Sequence, residues 1–240
     1  MEGKIKSGIP GLDAMMGGGI PKGSTVAVAG GTGSGRTIFI SQFLYKGASE
    51  FNEPGLFISF DDQKDSLYPN LASFGWDMLE LERKQKIVFI EYPHNELAAF
   101  ADQESAMKDL IGTLGIKRVV IDSITPFSMM FSTPEERRLA TLKLVSAVKG
   151  WKCTVLISSE LIHGSEEHFP HTASGVESFC DGFIHLSFRR DGSRRQREVE
   201  IVKMRGGKHE HELRPANITD EGFVIGNGAK QAKKKVISDE

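Results

Sequence analysis

The sequence is poor in the features that would place it outside the soluble globular class. It has only two cysteines, Cys153 and Cys180, both inside apolar runs and at no metal-ligand spacing. That excludes a disulfide-stapled scaffold and a cysteine-ligated metal centre, and two reduced, buried thiols are expected. No apolar run approaches the ~20 residues needed to cross a bilayer, and no secretory h-region stands at the N-terminus. A cytoplasmic protein without membrane contact is the expectation. Pro- or Ser-rich low-complexity stretches are absent, so composition does not divide the chain. One domain over 1–228 with a basic, flexible tail at 229–240 is the expected organisation. A large excess of one charge is missing too, since the net charge of −2 excludes a polycation.

What is present suffices for a core without staples: 240 residues, 39% of them hydrophobic. Charge is unevenly spread. Arg189, Arg190, Arg194, Arg195 and Arg197 cluster, and Lys230, Lys233, Lys234 and Lys235 crowd the tail. Each group reads either as a solvated segment or as a contact for nucleic acid or another subunit.

The hydrophobic pattern alternates between strands and helices. Strands are expected at Thr25 to Ala29, Leu56 to Phe60, Lys86 to Glu91, Arg118 to Ile121 and Cys153 to Ile157. Helices are expected after residue 37, over Lys64 to Phe74 with a possible kink at Pro69, over Asp102 to Leu114, and from Pro134 to about Lys149 with Gly150 as the stop. Strands that are continuously apolar and separated by helices imply a parallel sheet covered on both faces. Near the C-terminus Phe183 to Phe188 and Glu198 to Met204 flank Asp191-Gly192, reading as a hairpin with a longish charged tip. Phe223 to Ile225 reads as a last short strand. The fold class is therefore α/β, a mainly parallel sheet flanked by helices with antiparallel strands added near the C-terminus.

One segment carries explicit chemistry. Gly30-Gly31-Thr32-Gly33-Ser34-Gly35-Arg36-Thr37 fits G-x-x-x-x-G-K-[ST] at every fixed position but one. It follows a strand and opens a helix, the context a phosphate-binding loop requires. Glycines let backbone N–H groups curl around phosphate oxygens, and the helix N-terminus points at the same anion. Gly31, Thr32, Gly33, Ser34, Gly35, Arg36, Thr37 and Ile38 are the candidate nucleotide contacts, with the Thr37 hydroxyl on Mg²⁺. Arg36 replaces the lysine of the motif. It keeps the charge, but is planar, forked and bulkier than an ammonium. Binding can rest on the loop amides, whereas hydrolysis needs charge placed where the transition state develops it.

Asp122 ends an apolar strand downstream of the loop and fits the Walker-B role on Mg²⁺; the plainer reading is a turn aspartate. Asp61 and Asp62 end another strand, and either one of them orients the attacking water as a general base or the pair is a polar turn.

Beyond these residues the chain resembles a family. Gly8-Ile9-Pro10-Gly11-Leu12-Asp13 and Gly18-Gly19-Ile20-Pro21-Lys22-Gly23 lead into the loop. Ser73-Phe74-Gly75-Trp76-Asp77, Val120-Ile121-Asp122-Ser123, Ser174-Gly175-Val176-Glu177, Lys203-Met204-Arg205-Gly206 and Ile218-Thr219-Asp220-Glu221-Gly222 follow in order. Together, over about residues 4 to 226, they resemble the KaiC-like branch of the RecA/RadA ATPases, single-domain archaeal members above all. The resemblance implies a RecA-like core, ATP as the nucleotide, and a homo-oligomeric, hexameric ring with nucleotide between subunits. It implies that Asp61 and Asp62 stand where the family has paired catalytic glutamates, one methylene longer. It also implies that Lys203 and Arg205 are a Lys-x-Arg finger for a neighbour's γ-phosphate, contributing to nucleotide binding in trans. Arg36 with the Asp pair departs from the family at two catalytic positions, so an ATP hydrolase of low activity is expected. The alternatives are a non-hydrolysing, ATP-dependent assembly or regulatory protein and a single-stranded-DNA-binding recombination accessory. The latter would take a recombinase or another protein as partner.

Weaker signals remain. His163, His168 and His171 share an expected loop with Glu166 and Glu167, and His209 and His211 lie farther on; zinc ligation is an alternative without a matching motif. Phe188 is an alternative base-stacking platform or a packing residue. Met15-Met16 and Met129-Met130 read as packing or interface residues.

Overall fold

A computed structural model describes residues 3–92, 100, 103–162 and 169–226. Asp102, His163, Glu166, Glu167, His168 and the 229–240 tail lie outside the described residues, and so do the readings that fell on them.

The chain enters through β1 (Lys4–Ile5), α1 (Leu12–Met15) and β2 (Ile20–Pro21), with β1 and β2 paired antiparallel. Next come β3 (Thr25–Gly30), α2 (Arg36–Glu50), β4 (Gly55–Ser59), α3 (Lys64–Ala72), α4 (Met78–Arg83) and β5 (Ile87–Glu91). After these follow α5 (Glu104–Leu114), β6 (Arg118–Asp122), α6 (Ile124–Met129), α7 (Pro134–Gly150) and β7 (Thr154–Glu160). A 3-10 turn at Val176–Ser178 leads to β8 (Gly182–Asp191), β9 (Arg194–Met204), β10 (Arg214–Thr219) and β11 (Gly222–Ile225).

Among the described residues the main sheet has nine strands in the order β11-β10-β9-β8-β3-β7-β6-β4-β5. From β8 to β5 every neighbouring pair is parallel, and β9, β10 and β11 extend the β8 edge antiparallel. The expected α/β architecture holds. Strand alternation divides the core into two layers. Val26 and Val28 of β3 join α2, α3, α4 and the N-terminal segment on one face, while Ala27 and Ala29 join α5, α6 and α7 on the other.

Arg118, at the start of β6, is completely buried. It pairs with Glu53 at 2.6 Å, donates to the carbonyls of Phe43 (2.8 Å) and Lys6 (2.7 Å), and lies over the Phe43 ring. This guanidinium fastens α2 and the N-terminal strand to the sheet. Cys153 and Cys180 are buried and unpaired, and burial pushes their thiols up to about 11 and about 12. Both are inert thiols, as their apolar settings suggest.

Several local expectations need correction. The hairpin tip is not long: β8 and β9 run through the arginines to a two-residue turn, Gly192-Ser193, with Gly192 at φ 56°. Charge repulsion did not end the strands, because backbone pairing continues to Asp191↔Arg194. The helix from Lys64 closes at Ala72, carrying Pro69 within it, and Asp77 caps a separate short helix, α4, through the N–H of Glu80. By contrast α7 runs as expected to Gly150, where Trp151 caps it and Lys152 turns to φ 57°. β10 carries Pro215 and alternates weakly, so it was not visible in the pattern. Met15 and Met16 are core, whereas Met129 and Met130 are exposed.

Candidate functional site

Parallel register brings the chemistry to one edge of the sheet. Gly30 at the end of β3 pairs with Glu160 at the end of β7, and Ser59 at the end of β4 pairs with both Asp122 and Glu91. The glycine loop, Asp61, Asp62, Asp122, Glu91 and Glu160 therefore share the carboxyl-end crevice where α/β sheets bind ligands.

The loop has the geometry its sequence demands. Gly33 and Gly35 sit at φ 82° and 97°, conformations that L side chains rarely adopt. A Cβ on Gly35 would meet Ile218 Cδ1 at 3.0 Å, and one on Gly33 would meet the Phe188 ring at 3.1 Å. Gly35 caps α2 without any side-chain hydrogen bond, and the first turn of α2 holds no acidic residue. The free N–H groups and positive dipole end of a 15-residue helix thus face the loop. The buried Ser34 Oγ has no partner. Thr32 is exposed at the tip, and Ile38 packs against the core beneath.

Behind the loop lies Asp122. Ser158 donates a short hydrogen bond to its Oδ1, while Oδ2 makes none. Burial pushes the Asp122 carboxyl above the usual range and the charge of Asp62 acts the same way; Ser158, Thr37 and Arg36 oppose them. A buried carboxylate oxygen without a donor, beside the Thr37 hydroxyl, is a pair of hard oxygen ligands suited to Mg²⁺ together with phosphate oxygens and water. Among the described residues no three His, Cys, Asp or Glu side chains converge as a metal cage. The His209 and His211 rings meet edge to face at 4.7 Å, and His171 lies 3.5 Å from Glu177.

Asp61 and Asp62 line a cleft of about 180 Å³ with Ser59, Glu91 and Tyr92. Burial, then the Asp61 charge, pushes the Asp62 carboxyl up from the ordinary range. A carboxyl raised in this way favours holding or accepting a proton, and the Asp62 charge also acts on Asp122. Glu91 was not flagged from sequence. It is one of many strand-end acids, and only the β4–β5 register brings it here.

Arg36 does not extend over the loop. Its Nη1 donates a short bond to the Gly30 carbonyl and lies 3.5 Å from that of Ser159, and its Nη2 pairs with Glu160 Oε1 at 3.0 Å. Glu160, too, escaped the sequence reading. Arg197 donates two bonds to the Gly33 carbonyl (3.1 and 3.0 Å) and stands 4.3 Å from the Phe188 ring centre. Arg195 stands 5.4 Å from the same centre. Phe188 is a packing residue against the loop, already attended by two guanidinium groups.

Lys203 and Arg205 belong to the opposite edge. Lys203 Nζ donates to the carbonyls of Glu177 (3.1 Å) and Cys180 (2.6 Å), and Arg205 lies 3.8 Å from Asp181. Asp181 in turn accepts from the N–H of Thr25, at the start of β3. At ~3.3 Å per residue, β3 separates that edge from the loop by about 17 Å. Neither side chain reaches the phosphate loop of its own chain.

A parallel-centred sheet with a glycine loop between β3 and α2, and an acid at the end of β6, defines a RecA-type P-loop fold. The family model for the KaiC ATPases matches residues 5–230, and the chain belongs to that family. Relatives include UPF0273 proteins of Methanocaldococcus jannaschii (31% identical, covering 92% of this chain and 96% of the relative) and Pyrococcus horikoshii (30%, 94% and 94%). The circadian clock oscillator protein KaiC of Synechococcus elongatus is 33% identical over 92% of this chain, which spans 44% of it. Among solved structures, a KaiC-like protein of Pyrococcus horikoshii superposes with a TM-score of 0.83 at 32% identity, covering 95% of this chain and all of that one.

Proposed function

We propose that this protein binds ATP with Mg²⁺ and hydrolyses it slowly, as one domain over 1–228, in a homo-oligomeric ring. The observation that carries the reading is the Thr37–Asp122 pair beneath the glycine loop, with Asp122 Oδ2 lacking a partner in good hydrogen-bond geometry and the Thr37 hydroxyl acting on the same carboxyl. Loop amides from Gly31 to Thr37 hold the phosphates, and Thr37 and Asp122 hold the metal. When bound, Mg²⁺ would neutralise phosphate charge. Asp62, backed by Asp61, orients the attacking water and takes its proton. Turnover is slow because Arg36 is engaged with Gly30 and Glu160, and because Asp62 is one methylene shorter than the family's glutamate. Lys203 and Arg205, out of reach of their own loop, act on the nucleotide of the adjacent subunit. Such a head-to-tail contact closes into a ring when the rotation fits.

The test is steady-state hydrolysis by wild type beside Arg36→Lys, with mass measured in ATP and Mg²⁺. Slow wild-type turnover, a faster lysine variant and ATP-dependent assembly are expected. Ordinary wild-type rates that Arg36→Lys leaves unchanged contradict the slow-loop reading, and a monomer under all conditions contradicts a finger acting in trans.

A second reading, single-stranded DNA binding, is favoured by one observation. Arg190 and Arg195 are direct cross-strand partners, and Phe188 and Arg197 are the next same-face pair. Like charges placed opposite each other cost stability unless an anion joins them. Binding that weakens with salt and on removing Arg194, Arg195 and Arg197 is expected; no binding at low salt eliminates it.

A further inference from the structure

The ion pair between Arg36 and Glu160 spans the mouth of the phosphate site. Glu160 is the last residue of β7, the strand between the loop strand and the Asp122 strand. Its backbone is fixed on both sides. Its N–H donates to Thr125 Oγ1 on α6 (3.0 Å), and its carbonyl accepts from the N–H of Ala173 (3.4 Å). Only the carboxylate can swing, and it is half exposed while its arginine partner is 15% exposed. The guanidinium fork is spent on Glu160 and on the Gly30 carbonyl, with the Ser159 carbonyl nearby.

We propose that Glu160 is a specificity-determining residue that competes with the terminal phosphate of a nucleoside triphosphate for Arg36. The inference rests on the nucleotide reading above and deepens it. The loop amides and the α2 N-terminus hold the inner phosphates whatever Arg36 does. A third phosphate held by this loop would draw on the Arg36 guanidinium, which is already paired with the Glu160 carboxylate. Full engagement requires the guanidinium to leave Glu160. A diphosphate ends short of this contest. The carboxylate thereby lowers triphosphate affinity selectively and narrows the preference for triphosphate over diphosphate. A lysine, with three donors on one atom, could not bond the Gly30 carbonyl and a carboxylate through separate nitrogens as the fork does.

The experiment measures equilibrium binding of fluorescent ATP and ADP analogues, with Mg²⁺, to the full chain. It compares wild type, Glu160→Gln, Arg36→Ala and the double variant. Glutamine keeps the shape and removes the charge at a half-exposed position, and thermal melting confirms folding. A partly exposed pair of this kind is worth up to ~1 kcal/mol, which converts to about fivefold in affinity. Glu160→Gln is therefore expected to tighten the ATP analogue about fivefold and to leave the ADP analogue within about twofold. In the Arg36→Ala background the gain should disappear. Equal effects on both nucleotides, weaker ATP binding, or a gain that survives Arg36→Ala overturns the competition. If wild type binds neither analogue, the nucleotide reading itself fails and takes this inference with it. That outcome is distinct, because it appears before any Glu160 variant is compared.

Discussion

Asp122 should lower the stability of the empty protein in exchange for a ligand site. Asp122 is 3% exposed, with one oxygen bonded to Ser158 and the other without a hydrogen bond of good geometry, the Thr37 hydroxyl lying nearby. An unpartnered buried polar atom costs about 1–3 kcal/mol, and more when it carries charge. In Asp122→Asn the side chain keeps its size and loses its charge, while the new amide leaves an N–H unpaired. A net gain of about 1–2 kcal/mol is expected, or roughly 2–8 °C in midpoint for a chain of this length. Ligand acts in the opposite sense. At a hundredfold excess over Kd, Mg²⁺–ATP should stabilise wild type by ~2.7 kcal/mol, about 5–10 °C. The asparagine variant loses most of that increment. Differential scanning fluorimetry, with and without EDTA, ATP and Mg²⁺, gives all four midpoints in one experiment. The reasoning is refuted if the metal-free variant melts below wild type, or if it keeps the full Mg²⁺-dependent shift.

Arg118→Met should cost about 3–5 kcal/mol in urea denaturation, because it strands Glu53 and two carbonyls; less than ~1 kcal/mol would show that the guanidinium is not a fastener. Gly35→Ala forces a side chain into a φ of 97° against Ile218 and Phe223, so nucleotide binding should vanish and stability fall by at least ~1–2 kcal/mol. By contrast Gly192→Ala, in open space at the hairpin turn, should leave binding unchanged. The Glu200 carboxyl is held below its usual range by the hydrogen bond to His185, with burial opposing and the His185 and Arg189 charges helping. A depressed acid stabilises above its unfolded pKa and loses that contribution as pH falls through its folded value. Wild type should therefore weaken below about pH 4, and Glu200→Gln should be weaker at neutral pH with a flatter acid limb in urea midpoints. Parallel limbs for the two proteins would exclude this pair as a source of acid sensitivity.

The nucleotide loop was legible because its signal is local. Strand, glycines, threonine and helix are contiguous, and within eight residues Gly33 and Gly35 are required by positive φ and Gly30 by the closeness of the Leu186 carbonyl. The place of Asp122 was legible for a related reason, since it directly ends a continuously apolar strand downstream of the loop. The errors came where local rules compete with pairing. Five arginines near Asp191-Gly192 look like a solvated loop, yet strand pairing carries through them to a two-residue turn. Asp77 caps a second short helix, Met78–Arg83, that has too few residues to show a period.

Partners fixed only by register were invisible. Arg36 and Glu160 are 124 positions apart, and nothing near either one names the other. The residue before Arg36 caps the helix, and the parallel pairing of Gly30 with Glu160 then delivers the carboxylate to the guanidinium. This changes what the arginine means. Read from sequence, Arg36 was a bulkier lysine in the wrong place. In the folded chain it is the bridge between the phosphate loop and the strand that separates that loop from Asp122. Its length and its fork are what make the bridge possible, because one nitrogen serves Gly30 while the other serves Glu160. A departure from the motif that looks like damage in one dimension is, in three, a bond between the glycine loop and the neighbouring strand.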